Sequence, residues 1–276
     1  MYKSKICGDN LESFYSFDGK KINYLKFCKT ENSHALICLH GLGSYAQYYI
    51  PLGEYLNKHN ISVYALEFRS FGTSDIEPKW RYSRLDDIVA DLEIFYNMIK
   101  ESSYTKISIL GDSLGALIAL KFSTKNKLLA IKLILSSSFH NPLSNLIIRF
   151  LRHLRCLPDV KIKVIGNIGI FTKNKEFVRF DRELNLGAKH VGLHVIVATL
   201  EIASELNDLI LLSSELNEIM FLHGKTDHAT RYKSIEKLLS KHKNVTYKLY
   251  ENSSHFIINE NPINDVYSDI AKFLRI

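Results

Sequence analysis

Apolar and polar positions along the chain follow two periods, and the way these alternate sets out the elements. Leu11 to Phe17 and Lys21 to Lys29 alternate apolar with polar residues on either side of Asp18-Gly19, a pair that suits the tight turn of a β-hairpin. Ala35 to Leu39, Ile61 to Leu66, the run opening at Lys106, and Ile131 to Leu135 are short apolar stretches of the kind buried on both faces of a sheet. Between them, Tyr45 to Asn57 and Asp86 to Lys100 read as helices. In the second, Ile88, Val89, Leu92, Phe95, Tyr96 and Ile99 share one face. Leu114, Leu117, Ile118 and Phe122 repeat that spacing after Ser113. Strands alternating with helices predict an α/β protein with a mostly parallel sheet and an antiparallel opening hairpin.

The rhythm breaks at Ser136. From Phe139 to Leu212 no buried strand stands out, and the segment reads as helices joined by short loops that hold Pro142 and Pro158. Leu143, Leu146, Ile147, Phe150, Leu151 and Leu154 form an apolar stripe flanked by Arg149, Arg152 and Arg155, and Val191 to Leu212 is a second helical stretch. Strands resume at Glu218 to Leu222 and Val245 to Tyr250, with helices at Ile235 to Leu239 and Ile263 to Leu274. The expected organisation is a core of residues 1–138 and 213–276, with a helical cap, residues 139–212, inserted in it.

Composition narrows the class. A chain of 276 residues, 46% hydrophobic and 24% charged, is that of a globular domain with a sizeable core. MYKSKICGDN lacks the apolar run of a signal peptide, and the apolar-leaning stretch Val191 to Ala203 is interrupted by His194 and Glu201, so a cytoplasmic protein without a membrane span is expected. Cys7, Cys28, Cys38 and Cys156 are scattered and without metal-ligand spacing, as free thiols in a reducing compartment would be.

The formal charge is +7, yet no uninterrupted basic run or nucleic-acid motif accompanies it, which argues against a nucleic-acid partner. Between His140 and His190 ten basic residues face four acidic ones, so most of the excess lies in the inserted segment. A solvated basic face explains most such clusters. The sharper alternative is attraction for an acidic acyl carrier protein or an anionic lipid surface.

Candidate chemistry begins at Gly111-Asp112-Ser113-Leu114-Gly115, between a strand and a helix. Gly-x-Ser-x-Gly in that setting makes a nucleophile elbow, whose turn lifts Ser113 Oγ clear of the sheet. Gly111 and Gly115 sit where side chains would collide with the crossing helix and strand. A serine hydroxyl needs an imidazole to take its proton, and the imidazole needs a carboxylate to orient it. Asp227 follows the strand Glu218 to Leu222, and His255 follows Val245 to Tyr250, so acid and histidine stand at strand ends in the required order. The oxyanion formed on attack needs two N–H donors. Leu114 supplies one at the start of the elbow helix, and Leu42 is placed for the other within His40-Gly41-Leu42-Gly43. Gly41-x-Gly43-x-x-Ala46 with Glu67 also matches a dinucleotide fingerprint, but that reading leaves the elbow, Asp227, His255 and His40 without a role.

With HGLGS, GDSLG, HGKTD and NSSHF in this order, the chain resembles the α/β-hydrolase family, in its capped monoacylglycerol lipase and lysophospholipase branch. The resemblance implies Ser113 as nucleophile, Asp227 and His255 as its partners, Leu42 and Leu114 as oxyanion donors, and no metal or organic cofactor. Two departures stand out. Asp112 occupies a place where the family often has His, and Glu67-Phe68-Arg69-Ser70-Phe71-Gly72 replaces a loop commonly reading Asp-x-Arg-Gly-x-Gly. The expected activity is hydrolysis of a small acyl ester with a hydrophobic acyl group. Cleavage of an acyl thioester and a non-catalytic binding role on a hydrolase scaffold are the alternatives. An elbow serine, rather than aspartate, argues against dehalogenase or epoxide hydrolase chemistry.

Overall fold

A computed structural model of the chain describes residues 10–29, 33–74, 84–126, 131–139, 145–156, 158–164, 168–215, 217–242, 244–260 and 262–275. Cys7, Pro142 and Leu143, and the side chains of Leu146 and Arg149, lie outside them. An antiparallel hairpin, β1 (Leu11–Tyr15) and β2 (Lys21–Phe27), opens the chain, with Gly19 at φ 76 in its turn. The strands β3 (His34–Leu39), β4 (Ile61–Leu66), β5 (Lys106–Asp112), β6 (Lys132–Ser136), β9 (Glu218–Gly224) and β10 (Val245–Tyr250) continue the sheet. The order is β1-β2-β4-β3-β5-β6-β9-β10. The hairpin joins antiparallel through β2 and β4, and every later pairing is parallel.

The two-residue period of the strands divides the core between the sheet's faces. Ala35, Ile37, Leu39, Ile109, Leu133, Leu135, Ile219 and Phe221 pack under α2 (Leu85–Lys100) and α3 (Leu114–Lys125). Leu36, Cys38, Leu110, Ile134, Met220 and Leu222 pack under α1 (Ile50–Lys58) and α9 (Ile263–Arg275). The helix expected over residues 45–57 instead opens as a 3-10 turn, Ala46–Tyr49, and becomes α-helical at Ile50, with Pro51 in its first turn where no N–H partner is lost.

Between β6 and β9 lie α4 (Asn145–His153), α5 (Lys175–Leu184), α6 (Leu193–Ser204) and α7 (Leu206–Ser214). A two-stranded antiparallel ribbon, β7 (Lys161–Lys163) with β8 (His190–Gly192), sits among them and was not expected, because three residues are too few to show a period. The second helical stretch is two helices that meet at Glu205. Both pack on α3, with the buried hydroxyls of Ser123 and Ser213 in contact. On α4 the buried apolar residue is Ile148, while Ile147 and Phe150 of the expected stripe are 44% and 68% exposed. Arg152 of α4 and Arg155 just after it reach across to Glu201 on α6. After β9, α8 (Tyr232–Leu239) packs beside β10. No helix among the described residues is long and apolar enough to cross a membrane. Cys28, Cys38 and Cys156 are free thiols.

Candidate active site

Ser113 stands between β5 and α3 at φ 52, ψ −110, a conformation that non-glycine residues rarely take. Its N–H is held by Ser136 O at 2.9 Å. The flanking glycines are sterically required. A Cβ on Gly111 would lie 2.3 Å from Gly115 O, and one on Gly115 would lie 2.1 Å from Leu39 O. β5 and α3 can cross this closely only without those side chains.

The loop after β3 lies against the elbow, and a Cβ on Gly41 would come within 3.3 Å of Ser113 Cβ. His40 fixes that loop. The Phe68 N–H donates to His40 Nε2 at 3.0 Å, so the proton sits on Nδ1 and is donated to Gly41 O at 2.8 Å. Burial pushes the His40 imidazole down to about 4, which keeps it neutral and in this tautomer. The N–H groups of Leu42 and Leu114 have no hydrogen-bond partner among the described residues.

Asp227 follows β9 and is 6% exposed. Its Oδ1 accepts from the N–H groups of Ala229 and Thr230 at 2.8 and 2.9 Å, while Oδ2 accepts from the Thr230 hydroxyl at 2.6 Å and stands 2.9 Å from His255 Nδ1. Burial pushes the Asp227 carboxyl up, but His255 and Thr230 bring it below its ordinary value. For His255, burial lowers the imidazole, and the bond and charge of Asp227, with the charges of Asp112 and Glu260, raise it overall. Ser113 and His255 line one cavity of about 340 Å³, with no direct hydrogen bond between them. Leu42, Val164, Ile168, Phe171 and Phe256 give that cavity an apolar side, while Tyr48, Asp181 and Asn185 give it a polar one. Asp181 Oδ1 accepts from the hydroxyls of Tyr45 at 3.0 Å and Tyr48 at 2.5 Å.

The sequence from residue 30 to 262 matches the family described as serine aminopeptidase, S33. The chain belongs to this hydrolase family. Solved structures agree on the fold. A soluble variant of monoglyceride lipase from Saccharomyces cerevisiae, in complex with a substrate analogue, superposes with a TM-score of 0.81 at 19% identity, covering 99% of this chain and 98% of that one. The monoacylglycerol lipase of Paleococcus ferrophilus gives 0.76 at 17% identity, covering 92% and 98%. A thermostable carboxyl esterase from Bacillus coagulans, in complex with glycerol, gives 0.81 at 15% identity, covering 97% and 99%. No curated protein matches the sequence.

This hydrolase brings together all the residues singled out from sequence. Ser113, His255, Gly41, Leu42 and Gly43 line one cavity, Asp227 backs His255, and Leu114, Gly111, Gly115 and His40 build the surrounding turns. The dinucleotide reading fails on Glu67. Its carboxylate is 0% exposed and accepts from the Thr73 N–H and hydroxyl, both at 2.7 Å, so it cannot reach a ribose.

Three supporting groups escape sequence reasoning. Glu260 Oε1 accepts from the Thr172 hydroxyl at 2.8 Å and from the Lys173 N–H, while Oε2 accepts from Ser254, tying the histidine loop to the inserted segment. The Ser137 hydroxyl donates to His255 O at 2.5 Å. Arg69 is 2% exposed, grips Asp91 through Nε at 2.6 Å, and reaches Asp18 at 3.1 Å. Each acts between segments distant in sequence, so only the hairpin and strand order could have hinted at them.

Proposed function

We propose that this hydrolase cleaves carboxylic esters with an apolar acyl group through an acyl-enzyme on Ser113. Ser113 Oγ attacks the carbonyl carbon while His255 Nε2 takes its proton, and Asp227 keeps Nδ1–H of His255 in place and balances the imidazolium. The oxyanion accepts from the N–H groups of Leu42 and Leu114. Collapse breaks the acyl carbon–oxygen bond, and His255 returns the proton to the departing alcohol. Water then repeats the sequence on the acyl-enzyme, releasing the carboxylic acid and restoring Ser113.

The observation that carries this reading is a single cavity holding a strained elbow serine beside a histidine bonded to a buried carboxylate. The likeness to ester-cleaving proteins supports it, as does the apolar side of the cavity.

A fluorophosphonate probe should label Ser113 alone, and p-nitrophenyl esters of graded length should show an optimum. Ser113→Ala should lose both labelling and turnover, by roughly 10³-fold or more, with an unchanged circular dichroism spectrum. Turnover retained in Ser113→Ala refutes the assignment. Preference for aminoacyl anilides over every ester would overturn the bond type while keeping the nucleophile.

A further inference from the structure

A second cavity, of about 250 Å³, adjoins the first. It lies between the turn after β4 and the β7–β8 ribbon, is lined by Ser70, Phe71, Lys161, Asn185, Lys189 and His190, and shares Asn185 and Lys189 with the cavity that holds Ser113. Its volume is that of several water-sized groups rather than a packing defect. Antiparallel pairing sets Lys163 opposite His190 and Lys161 opposite Gly192, so Lys161, Lys163 and His190 share one face of the ribbon.

The charges here are not spent on one another's neighbours. Lys161, Lys163 and Lys189 make no ion pair among the described residues, whereas Arg152, Arg155 and Arg179 of the same segment are paired with glutamates. His190 is pushed down by partial desolvation and then by the charges of Lys161, Lys163 and Lys189. Asp159, beside Gly192, is committed to the His194 N–H at 3.0 Å. Glu67 lies behind Gly72 in the cavity wall, 0% exposed and bonded to Thr73.

Ser70 is the independent sign of a ligand. It is 2% exposed and sits at φ 70, and its buried hydroxyl has no hydrogen-bond partner. A buried hydroxyl without a partner costs free energy that an anionic acceptor would recover. Backbone strain at the same residue is stored where a site is held in readiness.

We propose that this cavity binds a phosphoryl group carried by the alcohol or thiol that the hydrolase releases. Lys161 and Lys189 meet its charge, and the Ser70 hydroxyl donates to one of its oxygens. The phosphoryl group is not transferred. Ser113 attacks the acyl carbon, the bond from that carbon to oxygen or sulfur breaks, His255 protonates the leaving atom, and the phosphorylated product departs whole. The inference rests on the acyl-enzyme reading above.

The test compares kcat/KM for three substrates of matched acyl length: a 1-acylglycerol, the corresponding 1-acylglycerol 3-phosphate, and the acyl-CoA. A phosphorylated substrate should be favoured roughly ten- to a hundredfold through KM, the range of charge-assisted contacts, and the advantage should shrink between 50 and 500 mM salt. Lys161→Glu should abolish the preference while leaving p-nitrophenyl ester turnover and fluorophosphonate labelling intact, and Ser70→Ala should weaken it. Preference for the glycerol phosphate ester identifies a phosphoglycerol headgroup as the source, and preference for acyl-CoA identifies a phosphopantetheine thioester. Equal rates on neutral and phosphorylated substrates, or a preference untouched by Lys161→Glu, overturn the subsite although the enzyme still hydrolyses esters. Absence of labelling in the wild type would instead refute the hydrolase mechanism itself.

Discussion

Asp112, next to Ser113, was the residue whose role the sequence left open, because spacing could not say where its side chain points. In the fold it lines the main cavity, is 4% exposed, and has one carboxylate oxygen without a partner. Burial pushes its carboxyl up to about 6, and the charge of His255 works against that shift. His255 in turn is raised by the negative charge of Asp112. Removing that charge should therefore make His255 easier to deprotonate. We expect Asp112→Asn to move the acidic limb of the kcat/KM profile to lower pH, since that limb reports loss of the imidazole proton in free enzyme. An unmoved limb, or one moved upward, would show that Asp112 and His255 do not sense each other. Stability gives a second readout. A carboxyl with a raised value favours the protonated native state, so its cost is absent at low pH and appears as pH rises from about 4 to about 6. Asp112→Asn should be more stable than wild type at pH 7, by about 1–3 kcal/mol, and by less at pH 4.5.

Elements were legible where period and length agreed. The strands of the parallel sheet and the long helices α2 and α9 carried clear patterns, and the elbow, acid and histidine were found because each follows a strand. The 3-10 turn before α1, the three-residue strands β7 and β8, and the outward face of α4 were not legible, because propensity over three or four residues is overruled by packing partners elsewhere in the chain. Ties between elements were the least visible of all. Arg69 joins the β1–β2 turn through Asp18 and Ser16 and α2 through Asp91, from within the loop whose Glu67 and Ser70 depart from the family's common pattern. Arg69→Ala would strand Asp91 in the core, and we expect a loss of about 3–5 kcal/mol in urea unfolding. A loss below about 1 kcal/mol would mean the cluster behaves as a surface pair. Glu260→Ala should act differently. It removes the acceptors for Ser254, Thr172 and Lys173, so kcat should fall along with stability, while Glu260→Gln, which keeps one oxygen, should recover part of both. Lost stability with unchanged kcat would show that the histidine loop holds its place without this tie.

Across the whole molecule, stability against pH joins groups that no local motif connects. His34 lies at the amino end of β3, bonded to Ser108 at 2.9 Å, and burial followed by the charges of Lys106 and Lys132 brings it down to about 4. His40, at the other end of the same strand, is brought to about 4 by burial. Unfolding frees both to bind protons near pH 6.5, so the unfolded state takes up more protons than the native one, and stability falls as pH drops from about 6.5 towards 4. Each histidine should contribute roughly 2 kcal/mol of that loss by pH 5. Asp112 acts in the opposite sense, since protonating it in the fold relieves roughly 1 kcal/mol over the same interval. The two histidines outweigh the one carboxyl, and these three groups together give an expected loss of roughly 3 kcal/mol between pH 7 and pH 5. Urea midpoints across that range measure it, and His34→Gln, which can still bond to Ser108, should flatten the slope by about half of the histidine share. Stability that stayed level or rose between pH 7 and 5 would count against neutral imidazoles at the two ends of β3, the state in which His40 Nε2 accepts from the Phe68 N–H.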